Sequence, residues 1–279
     1  MKVGIYPGCS LTGSARDYNE SVLELAKALG MEFAEVPDWN CCGATAAHNL
    51  NKELSLALPA RILANAESIG IEELVVPCAA CYSRLAVTKH ELAKDPLVSN
   101  RIFSSVIDME YKGNVKIINV LQWLDKYVLP VIESKIVSPF IHNVACYYGC
   151  LLVRPNKVLN FDRTEDPQSM DLLMEKIGAK PIDFAFKTEC CGAGLSVSRT
   201  DIVSNLSGKI LDDAEHRGAE AIIVACPMCH SNLDMRRSDI NKHWNKNYKI
   251  PILYITQAIG LAIGLSPQKV GLQRHYVEV

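Results

Sequence analysis

Ten of the chain's eleven cysteines fall into one pattern that is used twice. Cys9, the adjacent pair Cys41 and Cys42, and a C-x-x-C at Cys78 and Cys81 make the first set. Cys150, Cys190 and Cys191, then Cys226 and Cys229 make the second, which leaves only Cys146 outside. The gaps are 31 and 39 residues ahead of each Cys-Cys pair, and 35 and 34 residues from the pair to the C-x-x-C. Thiolates are soft metal ligands, so a duplicated five-thiol set points to two metal centres. Tetrahedral zinc wants four ligands and would leave one thiol unused in each half. A cubane iron–sulfur cluster also takes four thiolates. Five per set therefore points to a cluster of another shape, or to four ligands and a spare reactive sulfur. Neighbouring side chains rarely reach the same metal, but they can reach two metals of one cluster. The adjacent pairs thus favour iron–sulfur, with zinc as the alternative. Gly43 and Gly192 follow the pairs and would let the backbone turn tightly there, which makes them candidates for cofactor binding.

Cysteines so far apart need a scaffold that gathers them. Residues 61–85 (RILANAESIGIEELVVPCAACYSRL) align without a gap on residues 209–233 (KILDDAEHRGAEAIIVACPMCHSNL). Each segment reads as an amphipathic helix, a glycine at its end (Gly70, Gly218), a short apolar strand and then C-x-x-C. VPDWNCCGA parallels FKTECCGAG, and KIINVLQWL parallels PILYITQAI. Duplication on this scale means two similar domains, expected at 1–137 and 138–279, with the join near Pro139. In the first, strands are expected at Val3–Tyr6, Glu32–Val36 and Leu74–Val76, and helices at Tyr18–Leu29, Leu54–Ser68 and Leu121–Val128. Alternating strands and helices of these lengths give an α/β fold of parallel βαβ units. Cys9, Cys41–Cys42 and Cys78 then each follow a strand, and in a parallel sheet all strand ends lie along one edge, where ligands bind. A helix beginning after each C-x-x-C would bring its positive end to the sulfurs.

Composition narrows the class. At 279 residues, 49% hydrophobic and 22% charged, with a net charge of −2, the sequence reads as a soluble globular protein with no pull toward nucleic acid or anionic membranes. The longest apolar run, Ile252 to Leu265, is 14 residues and contains Thr256 and Gln257, too short to span a bilayer. The opening MKVGIYPGCS shows no signal-peptide pattern, so a reducing cytoplasm and unpaired thiols are expected. No G-x-G-x-x-G follows a strand, so electrons must come from outside the chain.

Each half resembles the CCG domain, named for the Cys-Cys-Gly found at 41–43 and 190–192, and the chain as a whole resembles the B subunits of heterodisulfide reductases. The resemblance covers nearly the whole chain, including VACYYGCLLVRP and FDRTEDPQSMDLLMEKIGA in the second half. It implies two domains about a pseudo-two-fold axis. It implies one noncubane [4Fe-4S] cluster on Cys9, Cys41, Cys42, Cys78 and Cys81, and another on Cys150, Cys190, Cys191, Cys226 and Cys229. It further implies disulfide reduction or formation between the clusters, with electrons from a ferredoxin-like partner fed by a flavin-binding one, in an electron-bifurcating or confurcating complex. Many relatives carry a histidine near the second lead cysteine; here Cys146 and Leu151 occupy that neighbourhood. The competing member of the same family is an electron-transfer subunit of a lactate, glycolate or succinate oxidoreductase. PGCSLTGSARDYNES and NCCGATAAH resemble bacterial members more than methanogen ones.

Other residues carry weaker expectations. His48 and His230 could donate protons to a leaving thiolate, against a structural or surface role. Arg84, Arg154 and Arg199 could hold an anionic substrate tail, against solvated arginines or internal ion pairs. Cys146 reads as a small core residue and Trp39 as a cover for the first centre. KHWNKNYK at 242–249 is basic and aromatic, and is expected to be a solvated loop or a docking surface rather than an RNA platform.

Overall fold

A computed structural model describes residues 2–44 and 47–279, apart from the side chain of His48, so the expectation placed on that histidine lies outside the described residues. Each half builds one four-stranded sheet in which every pairing is parallel. In the first, β1 (Val3–Ile5), β2 (Ala34–Glu35), β3 (Glu73–Val76) and β4 (Lys116–Asn119) run in the order β2-β1-β3-β4. In the second, β5 (Asn143–Tyr147), β6 (Lys180–Pro181), β7 (Ala221–Val224) and β8 (Ile252–Tyr254) repeat it as β6-β5-β7-β8. The inner strands β3 and β7 are buried along their whole length, as strands covered on both faces must be. This is the expected α/β architecture of two repeated parallel units.

The departures have local causes. The fourth strand of each sheet escapes the sequence reading because KIIN and ILY are short runs that lead directly into helices. Both junctions are closed by a glutamine three residues on, Gln122 Oε1 accepting Asn119 N–H at 3.0 Å and Gln257 Oε1 accepting Tyr254 N–H at 2.9 Å, and at the first Asn119 Oδ1 accepts Gln122 N–H in return at 2.9 Å. The helix expected at Leu121–Val128 starts at Val120, widens into a π-turn over Leu124–Val128 and ends at Ile132. Pro130 lacks the N–H that a regular ladder would use there. The C-x-x-C helices begin inside the motif, not after it: Cys78 caps Ala79–Lys94 and Cys226 caps Pro227–Leu233. The glycines read as helix stops, Gly70 and Gly218, have φ of +74° and +78°, left-handed geometry that glycine adopts freely.

The halves do more than sit side by side. The first half's Arg16–Ala28 helix packs on the second half's last helix, Ile255–Ala262. Reciprocally, the second half's Ser169–Lys176 helix packs on the first half's Leu124–Ile132 turns. Such mutual exchange is what a pseudo-two-fold pair requires. At the first contact the rings of Tyr18 and Tyr254 stack at 4.0 Å, and the buried hydroxyls of Ser21 and Thr256 lie 2.6 Å apart. A satisfied buried pair of this kind contributes about 1 kcal/mol. Lys176 with Glu133, at 2.7 Å, and Arg274 with Glu20, at 2.7 Å, fasten the two edges. No described helix is long and apolar enough to cross a membrane.

Candidate metal centres

The strand-end argument holds: the cysteines of each set meet at one sheet edge. Cys9 Sγ lies 4.0 Å from Cys41 Sγ, and Cys42 Sγ lies 3.1 Å from Cys81 Sγ. Cys191 Sγ lies 3.7 Å from Cys229 Sγ, and Cys150 and Cys190 are close enough for each to shift the other's thiol. All are free thiols. Each set points its inner sulfurs into the protein, with Cys42, Cys78, Cys81, Cys191, Cys226 and Cys229 buried, and its outer ones toward the surface, with Cys9, Cys41 and Cys190 exposed and Cys150 half-buried. The two sets also face each other: Cys78 and Cys226 are close enough across the join for each to shift the other's thiol, Cys78 upward and Cys226 downward. Above that contact the Tyr18 hydroxyl reaches the carbonyls of both preceding residues, Pro77 at 3.4 Å and Ala225 at 3.3 Å.

Gly43 and Gly192 lie where the sequence placed them. Their φ values are +74° and +82°, and their N–H groups donate to Cys41 Sγ at 3.4 Å and Cys190 Sγ at 3.3 Å. A Cβ on Gly43 would come within 2.8 Å of the Ala47 Cβ. Four residues escaped the sequence reading although a repeated Y-x-G-C signals them. Tyr6 and Tyr147 each donate from the ring hydroxyl, at 2.8 Å, to the carbonyl of the residue just before the Cys-Cys pair, Asn40 and Glu189. Each thus ties the lead-cysteine loop to the pair. Gly8 and Gly149 precede the lead cysteines at φ +63° and +69°, and a Cβ on Gly149 would lie 2.9 Å from Cys229 Sγ.

Electrostatics test whether these donors suit a metal cluster. In the first set charge collects on Cys42, whose thiol is held down at about 3 by bonds from Cys41 and then Cys81, with the Ala44 N–H and Arg84 adding to them. Cys41 and Cys81 are pushed up, each first by its bond to Cys42. In the second, Cys190 is lowered to about 6, chiefly by Cys150, which rises in turn. Cys226 is lowered by Cys229 and then Cys78, while Cys229 is raised first by Cys191. In each set one thiol is held down only as its neighbours are pushed up, so close-packed sulfurs share negative charge unevenly. Iron centres supply positive charge and deprotonate coordinating thiols, so the donor set fits them.

A cleft of about 430 Å³ runs between the halves, lined by Ala44, Ala80, Arg84, Leu151, Ala193 and Met228 among others. Its lining takes residues from both Cys-Cys-Gly loops and from inside both C-x-x-C motifs. Among the described residues Arg84 is its one charged lining residue; Nη2 donates to Ser55 O at 2.9 Å and its buried Nε has no partner among them. Arg154 and Arg199 are ion-paired, with Glu165 at 2.6 Å and Asp201 at 2.7 Å. His230 is buried, pushed down to about 4 by burial and then by His275, and sits against Ile252 O instead of the cleft lining. Cys146 is a fully buried core residue of β5. Trp39 packs edge-on against Tyr6 at 5.8 Å. In the 242–249 segment Trp244 turns inward to donate to Ser204 O at 3.1 Å, and Lys246 pairs with Asp212.

The geometry has counterparts. Residues 3–86 and 144–234 each match the CCG cysteine-rich domain family. The chain is 31% identical over 99% of its length to the B subunit of the ferredoxin/F420H2-dependent CoB-CoM heterodisulfide reductase of Methanosarcina acetivorans, covering 94% of that protein. It is 29% identical over 98% of its length to the membrane anchor subunit of the 8-methylmenaquinol:fumarate reductase of Wolinella succinogenes, covering 96% of it. A crystal structure of a hypothetical protein from Helicobacter pylori superposes on the whole chain with a TM-score of 0.81 at 16% identity, the chain spanning 52% of that longer protein. With both halves matched and the cysteine loops built alike, the chain belongs to the CCG cysteine-rich domain family.

Proposed function

We propose that this chain is the catalytic iron–sulfur subunit of a heterodisulfide reductase or a similar complex. Cys9, Cys41, Cys42, Cys78 and Cys81 would hold one noncubane [4Fe-4S] cluster, and Cys150, Cys190, Cys191, Cys226 and Cys229 the other. The observation that carries the reading is the presence of two complete five-sulfur sets meeting at Cys78 and Cys226 under a cleft shared by both. Cleaving one S–S bond takes two electrons and yields two thiolates, which leave as thiols after two protons. Bound clusters would supply one electron each and iron to receive the thiolates as they form.

The protein's own groups prepare that event. Leu151, Met228, Ala80 and Ala193 give the cleft walls that exclude water from the disulfide. The Arg84 guanidinium is placed to hold an anionic end of the substrate and fix its direction. The Gly43 and Gly192 N–H groups stabilise charge on the outer sulfurs, and Tyr6 and Tyr147 keep the loops from spreading. With no nucleotide-binding motif in the chain, electrons come from a ferredoxin-like partner, itself fed by a flavin-binding one, in a cytoplasmic complex.

Similarity to the fumarate reductase protein favours one alternative, a purely electron-transferring role. Low-temperature EPR of anaerobically purified protein, oxidised in the presence of single candidate thiols, separates the two. A new paramagnetic signal that depends on one thiol is expected of the disulfide reductase. No response to any thiol, with clusters that still reduce and oxidise, contradicts it.

A further inference from the structure

The two halves line the cleft unequally, and the duplication lets their walls be compared position by position. In the gapless alignment of residues 61–85 on 209–233, Arg84 falls on Asn232 and Ala80 on Met228. In the lead loops Ser10 follows Cys9 where Leu151 follows Cys150. The alanines after the Cys-Cys-Gly motifs, Ala44 and Ala193, are alike on both walls. Where the walls differ, the first half carries the polar residue and the second the larger apolar one, or an amide turned away from the cleft.

Charge follows the same division. A guanidinium has five N–H donors in a planar fork; among the described residues Arg84 uses one, on Ser55 O at 2.9 Å, and its buried Nε has no partner. Such a fork is suited to an oxyanion that accepts two of its hydrogens at once. Asn49 and Ser83 stand on the same wall and add polar contacts beside it. Asn232, the counterpart of Arg84, is 1% exposed, and its amide is spent on its own loop: it donates to Cys191 O at 3.0 Å and accepts from Ser196 Oγ at 2.8 Å. Arg154 and Arg199 are already held by carboxylates. The second half therefore gives the cleft Leu151, Pro155 and Met228, with Ala193 and Gly194, and among the described residues no polar side chain. An anion set against that wall would lose water and gain no partner. An uncharged hydrocarbon arm is favoured by the same burial.

We propose that the cleft is built for an unsymmetrical disulfide with one anionic arm and not two. A carboxylate, sulfonate or phosphate end is held by Arg84 beside the first cysteine set, and an uncharged apolar arm lies on Leu151 and Met228 beside the second. The inference rests on the disulfide reading above and adds to it the charge and the orientation of the substrate. Breaking the S–S bond takes the two electrons and two protons of that reaction, the electrons coming from the ferredoxin-like partner. The anionic thiol then leaves from the side of the first set and the apolar thiol from the side of the second.

The test is calorimetric binding of three uncleavable thioethers to anaerobically purified, cluster-containing full-length protein. The first joins an ethanesulfonate arm through sulfur to a butyl arm. The second has a hydroxyl in place of the sulfonate, and the third carries ethanesulfonate on both arms. The first is expected to bind at least about tenfold more tightly than either of the others, the scale of one charge-assisted contact made or left unpaired. Arg84→Met should erase its advantage over the hydroxyl probe, and Arg84→Lys should keep part of it. Leu151→Lys should tighten binding of the two-sulfonate probe by about tenfold, with iron content unchanged. A two-sulfonate or hydroxyl probe that binds wild type as tightly as the first overturns the proposal, and so does a Leu151→Lys protein that gains nothing for the two-sulfonate probe. Should the Arg84 variants fail to fold, the wild-type ranking and Leu151→Lys decide. If none of the three binds, the inference falls; a thiol-dependent paramagnetic signal from the same protein then leaves the disulfide reading standing, and its absence takes that reading as well.

Discussion

The two cysteine sets share a backbone and differ in surroundings. Both use a left-handed glycine before the lead cysteine, a tyrosine hydroxyl on the carbonyl before the Cys-Cys pair, a left-handed glycine after it, and a cysteine at the cap of the next helix. Yet Cys9 sits in a short helix, Gly8–Thr12, and Cys150 in a turn. Arg84 lies beside the first set, lowering Cys42, while the Asn232 amide approaches Cys191 Sγ at 3.6 Å in the second. Behind the second lead loop Tyr148, Asp171 and Lys187 form a buried polar group, with Asp171 reached by Tyr148 at 2.6 Å and by Lys187 at 2.9 Å. Duplication has kept what places the sulfurs and let go of what sets their electrostatics. Under the proposed function, two centres of one shape would then differ in potential.

That comparison can be broken outright. Cys42→Ser and Cys191→Ser should each strip one centre, lowering iron from about eight to about four per chain. Loss of all the iron in either variant would mean that the halves are not independent in holding it. Next in size are the glycines ahead of the lead cysteines. Left-handed strain costs about 1–3 kcal/mol at either, but Gly149→Ala also drives a Cβ to 2.9 Å from Cys229 Sγ, whereas at Gly8 the nearest contact is the Tyr6 ring at 3.3 Å. Thermal melts should therefore rank Gly149→Ala as the more damaging; equal shifts would deny the difference. Tyr6→Phe and Tyr147→Phe should each cost about 1 kcal/mol and alike, since the hydroxyls make the same 2.8 Å bond.

The smallest effect is expected with acid. Glu73 opens β3, where the second half has Ala221. Burial raises its carboxyl, but bonds from Lys126, Tyr127 and Lys116 outweigh that and hold it at about 2, against 4.5 ordinarily. A lowered carboxyl stabilises the fold above its unfolded value and loses that contribution as pH falls toward the folded one. Lys116 and Lys126 are 63% and 41% exposed, which screens the effect. Urea unfolding of wild type and Glu73→Gln should differ at pH 7 and converge between about pH 4.5 and 2. A gap that stays constant with pH would remove the charge from the explanation.

What the sequence disclosed follows from what repeats in it. The ten cysteines, Gly43, Gly192, Gly70 and Gly218 recur in the same order, all but the lead cysteines at nearly one offset, and a parallel sheet gathers strand ends whatever their separation. Tyr6, Gly8, Tyr147 and Gly149 were present in the same repeat, but a hydroxyl bond spanning 34 or 42 residues leaves no periodic trace. The exchange of helices between halves depends on contacts between segments with no shared spacing. Arg84 became distinguishable from Arg154 and Arg199 only through its place in the cleft lining and their commitment to Glu165 and Asp201.

Iron and acid-labile sulfide per chain in anaerobically purified protein test the central claim most directly. Two five-cysteine centres predict about eight irons and matching sulfide, with little zinc. A protein free of iron, with zinc thiolate-bound in both cysteine sets, would contradict it.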